Sequence, residues 1–269
     1  MKVAGTVMVV VGGGNGMGRH VVLELLRRGA RVAAVDVRQD SLDETAELAA
    51  AGERLATFRA DITDRDAVAA LPDRVVEALG DVDGLLNVAG IIQPFVPLGD
   101  LPYDVIERVV NVNLYGTIHT TKAFLPRLLE RPVAHIANVS SMGGFLPVPG
   151  QTIYGASKAA VKLMTEGLYA ELRETDVAVS LVFPGAVRTD ITANSGVDRP
   201  GGDAAAEKGS RMPITEPDDA ARMIVDGIEA DRFHIYVGRD ARIMNLLNRL
   251  VPRRSTHLIQ RQMKQLLDA

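Results

Sequence analysis

Tyr154 and Lys158 stand four residues apart in YGASKAAVKLMTEGLYAEL, a stretch whose apolar residues recur with helical spacing. Four residues of helix rise about 6 Å and return to the same face, so a phenol and an ammonium project from it together. A free phenol, with a pKa of about 10, is a poor acid or base at neutrality. A neighbouring positive charge stabilises the phenolate and lowers that value, the tuning that proton transfer to or from a carbinol oxygen requires. Taken alone the pair is also an ordinary amphipathic face, so its meaning depends on what surrounds it.

A second chemistry sits at the amino end. The apolar run Val7 to Val11 passes into Gly12, Gly13, Gly14, Asn15, Gly16, Met17 and Gly18, and a helical pattern follows at once. Glycines let the backbone turn with positive φ and approach a bound group, while the helix amino end offers unpaired N–H donors and a positive dipole to a pyrophosphate. A second strand pattern ends at Asp36, about 20 residues on, where a carboxylate can accept from both hydroxyls of an adenosine ribose. Its negative charge opposes a 2′-phosphate and no basic residue stands in the loop. NAD is therefore the expected cofactor, with NADP the alternative if Arg38 swings in.

Short Val-rich runs alternate with helical stretches, which predicts parallel strands joined by crossover helices. Strands are expected near 6–11, 31–36, 54–60, 82–88, 133–139, 177–183 and 233–237, and helices near 16–29, 41–51, 64–79, 104–131, 152–174 and 216–230. The expected fold is α/β: one doubly wound Rossmann domain over residues 1–238, a seven-stranded parallel sheet with helices on both faces. From 185 to 214 the chain is rich in glycine, proline and alternating charge, and its place after a strand carboxyl end predicts a substrate lid. Residues 239–269 form a basic tail of two amphipathic helices broken at Pro252. Packing of this tail on the domain or on a sister subunit is favoured over contact with an anionic membrane surface.

Composition removes several classes of function. The 269 residues include no cysteine, so there is no disulfide framework, thiolate metal site or thiol nucleophile. A net charge of −4 argues against general nucleic-acid binding, although it is unevenly spread: the segment from Arg239 onward carries +5 and the remainder −9. No apolar run reaches the roughly 18 residues needed to span a bilayer, and a soluble, cytoplasmic chain is expected. His20, His119 and His135 lack metal-ligand spacing, so no metal is expected.

With these residues in place the sequence resembles the short-chain dehydrogenase/reductases. The family's TGxxxGxG loop corresponds to VGGGNGMG, Val11 to Gly18; its acidic strand end to Asp36, followed by Val37; its Asp-aliphatic pair to Asp61 and Ile62; and its NNAG turn to NVAG, with Asn87, Ala89 and Gly90. The helix asparagine resembles Asn113 in NVNLYG, and YxxxK is Tyr154 to Lys158. The catalytic serine resembles Ser141 in NVSS, thirteen residues before the tyrosine; the adjacent Ser140 would point to the other side of a continuing strand. PGAVRTD supplies Pro184, Gly185, Val187 and Thr189. The sequence departs from the family at Val11, where threonine is usual, and at Val88, where a second asparagine is usual.

The resemblance implies reversible hydride transfer between a nicotinamide and a carbonyl or secondary alcohol. Tyr154 would exchange the proton and Ser141 would hold the oxygen. Lys158 would lower the phenol pKa and bind the nicotinamide ribose, and Asn113 would hold a water linking Lys158 to solvent. Gly12, Asn15, Gly16, Met17, Gly18, Asp36, Val37, Asp61, Ile62, Asn87, Ala89 and Gly90 would line the dinucleotide site, and Pro184, Gly185, Val187 and Thr189 would border the nicotinamide. The expected pocket walls, Ile91 to Phe95, Met142 to Ile153 and the loop after Gly185, are mostly apolar. An uncharged, hydrophobic small-molecule ketone or alcohol fits them, with a homo-oligomer, dimer or tetramer, as the assembly. The alternatives are a 3-oxoacyl-thioester reductase, recognising its acidic carrier through Arg188, Arg199 and Arg211, and a dinucleotide-sensing module without turnover, against which the retained Tyr154 and Lys158 speak.

Overall fold

The five residues Val7 to Val11 (β1) are all buried, and their side chains divide between two layers. Val7, Val9 and Val11 face one hydrophobic cluster and Met8 and Val10 the other, as the two-residue period of a strand demands. An unbroken apolar run is the mark of a strand covered by helices on both sides. A computed structural model describes residues 1–189, 191–197 and 214–263. Its sheet has seven strands, all paired in parallel: β1, β2 (Arg31–Asp36), β3 (Leu55–Arg59), β4 (Gly84–Asn87), β5 (Ala134–Val139), β6 (Val177–Pro184) and β7 (His234–Val237).

Across the sheet the order is β3-β2-β1-β4-β5-β6-β7. The chain therefore winds outward from β1 in one direction, returns to the centre at β4, and winds outward in the other. Between the carboxyl ends of β1 and β4 the connections leave to opposite faces, and this opens a crevice. Helix α1 (Gly16–Arg27) packs on one face and contributes Val21, Val22, Leu25 and Leu26 to the core there. Helix α2 (Gln39–Ala49) packs on the same face through Leu42, whereas on the other face α3 (Arg65–Ala69) is followed by α4 (Leu71–Leu79), which buries Leu71, Val75 and Leu79.

The single helix expected over 104–131 is interrupted. It runs as α5 (Tyr103–Val110), a wide π-type turn (Asn111–Tyr115), and α6 (Gly116–Leu129). Gly116 N–H closes that turn on Asn111 O, one residue beyond the usual α-helical reach. The helix expected over 64–79 likewise divides at Ala70. Helix α7 (Thr152–Glu171), a short α8 (Ile191–Ser195) and α9 (Pro217–Glu229) complete the body. The tail forms α10 (Arg239–Leu250) and α11 (Pro252–Met263), with Pro252 opening the second helix, where its missing N–H has no cost. Among the described residues no helix is long and apolar enough to cross a membrane.

Candidate active site

The loop after β1 is turned by its own backbone. Gly12 and Gly13 N–H both donate to Val35 O, at 2.8 and 3.0 Å, which bends the chain out of the sheet toward β2. Gly12 has φ +84°, and a Cβ there would stand 2.7 Å from Ala89 N. A Cβ on Gly18 would come within 1.9 Å of Gly12 O, so the first turn of α1 rests directly on the loop. Asn15 caps that helix, its Oδ1 accepting from Gly16 N at 2.6 Å, and the first turn holds no acidic side chain to offset the positive end of the dipole. Asp36 Oδ2 accepts from Gly14 N at 3.0 Å and Oδ1 from Arg38 N at 3.1 Å, which pins the carboxylate beside the loop. Close glycine packing, an open helix amino end and a fixed carboxylate fit an extended dinucleotide.

These groups border a cleft of about 1480 Å³. Gly12, Asn15, Gly16, Met17, Gly18, Asp36, Val37, Asp61, Ile62, Ala89 and Gly90 line it, together with Ser141, Tyr154, Lys158, Pro184, Gly185, Val187 and Thr189. Asn87 and Asn113 do not. Asn87 is 3% exposed, and its amide donates to Asn138 Oδ1 and Thr121 Oγ1 while accepting from Thr120 Oγ1. Asn113 is fully buried behind the cleft: its Oδ1 accepts from Ile91 N and its Nδ2 donates to Ile91 O and Ser157 Oγ. It thereby clamps the strand that leaves β4 to the helix carrying Tyr154. A Cβ on Gly90 would lie 2.9 Å from Lys158 Nζ and 3.3 Å from Asn113 Oδ1, so the bare backbone there lets both side chains approach.

Tyr154 and Lys158 lie in the first two turns of α7. The residue at the helix cap, Gln151, makes no capping hydrogen bond with its side chain. Gln93 caps the helix from elsewhere in the chain, its Oε1 accepting from Ile153 N at 2.8 Å and from Tyr154 N at 3.0 Å. Gln93 is fully buried, and its Nε2 donates to Gly150 O. Sequence reasoning took it for part of an apolar wall, and only the fold brings it to these amides.

Burial sets the titration of both groups. Lys158 is 3% exposed and donates to Val139 O at 3.1 Å; its ammonium is pushed down to about 8 because charge is poorly solvated there. Tyr154 keeps part of its surface open to the cleft, yet its surroundings push the phenol upward, against a smaller opposing pull from the Ser141 hydroxyl. The Lys158 ammonium is turned to the Val139 carbonyl. Ser141 Oγ accepts from Gly143 N at 3.0 Å, and a Cβ on Gly143 would touch both Ser141 Oγ and the Tyr154 ring. Ser140, by contrast, donates to Lys158 O and is buried.

On the open side α8 closes against the cleft. Asn194 Oδ1 accepts from Asn15 Nδ2 and from Arg38 Nη2, Ser195 Oγ accepts from Ile92 N, and Arg108 donates to Ser195 O. The remainder of the expected lid, with Arg199 and Arg211, lies outside the described residues. Arg188 lines the cleft and pairs with Glu216 at 3.0 Å. The expected walls need correction. Ile91 and Ile92 line the cleft, but Asp104, Glu107 and Arg108 of α5 join them, so this wall is not free of charge. Met142, Phe145 and Leu146 pack instead on Met244, Leu247 and Ile259 of the tail helices. A further residue escaped notice: Asp240, 6% exposed at the start of α10, accepts from Ala186 N at 2.7 Å and fills the space that Gly185 leaves open.

Among the described residues no three His, Asp or Glu side chains gather as metal ligands. The family model described as short chain dehydrogenase matches residues 6–200, which spans the glycine loop, Ser141, Tyr154 and Lys158. The chain is a short-chain dehydrogenase/reductase. This member of the family is 35% identical over 239 residues to the 1-deoxy-11-beta-hydroxypentalenate dehydrogenase of Streptomyces exfoliatus, a match covering 87% of this chain and 84% of the relative. A short-chain dehydrogenase/reductase of Burkholderia phymatum, solved in complex with NAD, superposes with TM-score 0.82 at 29% identity, covering 93% of this chain and 96% of the other. A short-chain dehydrogenase of Burkholderia cenocepacia J2315, solved with NADP, superposes with TM-score 0.80 at 26% identity, covering 96% and 99%.

Proposed function

We propose that this dehydrogenase/reductase interconverts an uncharged, hydrophobic ketone and its secondary alcohol with a nicotinamide dinucleotide, NAD in preference to NADP. The observation that carries this reading is the meeting of Ser141, Tyr154 and Lys158 on one side of a cleft whose other side is the glycine loop. When bound, the dinucleotide supplies or accepts the hydride. The chain's own residues do the rest. Gly12 to Gly18 and the amino end of α1 receive the pyrophosphate, and Asp36 the adenosine ribose. Ser141 orients the substrate oxygen, and Tyr154 Oη gives it a proton in reduction and takes one in oxidation. Lys158 holds the nicotinamide ribose and returns charge to the phenol; Asn113 keeps Ile91 and α7 in register behind them. The Streptomyces relative is named for dehydrogenating a hydroxypentalenate, a carboxylate that bears an alcohol: this supports an alcohol as the reacting group and gives no support to the absence of charge elsewhere in the substrate.

NAD is preferred because the Asp36 carboxylate is fixed at the ribose end of the cleft, while the Arg38 guanidinium is held by Asn194 at 3.1 Å. Asp36→Ser is expected to raise kcat/KM with NADPH relative to NADH by roughly tenfold or more, since a like-charge contact is removed. The decisive assay offers apolar ketones and secondary alcohols with each of the four dinucleotides, followed by nicotinamide absorbance. Turnover confined to charged substrates defeats the substrate class; absence of dinucleotide binding by calorimetry defeats the whole reading.

The buried ammonium gives a pH signature. Lys158 loses its proton in the free protein at about 8, and its charge is what the ribose and phenol need. Dinucleotide affinity is therefore expected to fall as pH rises through about 8, read by quenching of NADH fluorescence. In Lys158→Ala that limb disappears and affinity stays low across the range. An unchanged alkaline limb in the variant assigns the titration to another group.

A further inference from the structure

Among the described residues, helices α10 and α11 pack through one face. Their inner side is bound to the segment after Ser141 by Met244 and Ile259, and by a polar latch in which Asn248 donates to Phe145 O at 2.7 Å and Ser255 Oγ donates to Asn248 Oδ1 at 2.8 Å. Their outer side carries Ile243, Leu246, Leu250 and Leu258 in the open, Leu246 at 60% and Leu250 at 71% exposure. Residues 243, 246 and 250 recur at helical spacing and form one apolar stripe. Arg242, Arg249, Arg253, Arg254 and Arg261 are exposed on the same two helices. The one acidic residue of the two helices, Asp240, is buried on Ala186 N–H, so neither helix sets a carboxylate of its own beside these charges.

We propose that this face docks on an anionic phospholipid surface, the leucines entering the headgroup–acyl boundary and the arginines meeting the phosphates. Charge complementarity favours that occupant. A second copy meeting this face through a two-fold axis would set five arginines against five. A nucleic-acid backbone offers nothing to four large apolar side chains. Helices that lie in the interface plane typically combine an apolar stripe with a Lys/Arg-rich polar face, and α10 and α11 carry exposed leucines and arginines of that kind. The proposal is independent of the chemistry assigned to the cleft.

Flotation of the full chain with vesicles of phosphatidylcholine, alone or with one third phosphatidylglycerol, tests it. Co-flotation with the anionic vesicles at low salt is expected, with little on neutral vesicles and a decline as salt rises. Arg253→Ser with Arg254→Ser should weaken partitioning roughly 25-fold, and Leu246→Glu with Leu250→Glu should abolish it. Both pairs are exposed, so thermal unfolding and sedimentation serve as controls for the fold and for assembly. Three outcomes overturn the proposal: no flotation on anionic vesicles at low salt, flotation indifferent to the leucine pair, or a leucine pair that turns an oligomer into a monomer while lipid binding is unchanged, which assigns the face to a second copy.

Discussion

Tyr154→Phe is expected to lower kcat for carbonyl reduction by about 10³-fold, within the range measured for loss of a positioned general acid, while dinucleotide affinity changes by less than threefold. The substitution removes one oxygen and leaves the ring. The hold that Gln93 has on the helix is through the backbone N–H of residues 153 and 154, so the geometry of α7 survives. Ser141 retains its contact with Gly143 N–H, and Lys158 its contact with Val139 O. What is lost is the one hydroxyl of α7 that lines the cleft. Single-turnover oxidation of NADH with saturating ketone separates this step from binding. A variant within a few fold of the parent would falsify the assignment of Tyr154, and a collapse of NADH binding would show that the ring's position, not its proton, was disturbed.

Gly18→Ala is expected to be the most damaging single-methyl change in the cofactor loop. The new Cβ would lie 1.9 Å from Gly12 O and 2.8 Å from Gly12 C, both backbone atoms. The loop has little room to yield, because Gly12 and Gly13 N–H are committed to Val35 O and Gly12 itself lies against Ala89. Overpacking of this kind costs about 1–3 kcal/mol. The displaced loop should also weaken NADH binding by two orders of magnitude or more, since the pyrophosphate donors move with it. Urea unfolding and calorimetric titration measure the two effects. Gly167→Ala is the control: nothing lies within 4 Å of a Cβ there, in the carboxyl-terminal part of α7, and a neutral or slightly stabilising effect is expected.

The inner strands were legible because parallel strands buried on both faces write themselves as continuous apolar runs; the edge strands β3 and β7 are only partly buried and less apolar, yet they too lie within the expected ranges. The glycine loop was legible because the backbone does its work, and backbone needs only the absence of side chains. Other features depend on contacts between distant segments. Nothing local in IIQPF distinguishes a wall residue from Gln93, which caps a helix about sixty positions away. The break at Asn111–Tyr115 is invisible to apolar periodicity, because a single wide turn shifts the register by one residue without changing composition. The Met142–Leu146 segment is apolar for either of two reasons, lining a pocket or seating the tail, and the fold chooses the second for Met142, Phe145 and Leu146. Charge on the α5 wall was missed because Asp104, Glu107 and Arg108 look like any solvated helix face until that helix is placed.

Asp240 ties the bend after β6 to the start of α10, accepting from Ala186 N–H across 54 positions. During synthesis on the ribosome, every strand of the sheet emerges before this carboxylate does. A nascent chain ending at β7 holds the whole dinucleotide cradle with Ala186 N–H still lacking its acceptor, and gains that acceptor when the first turn of α10 emerges.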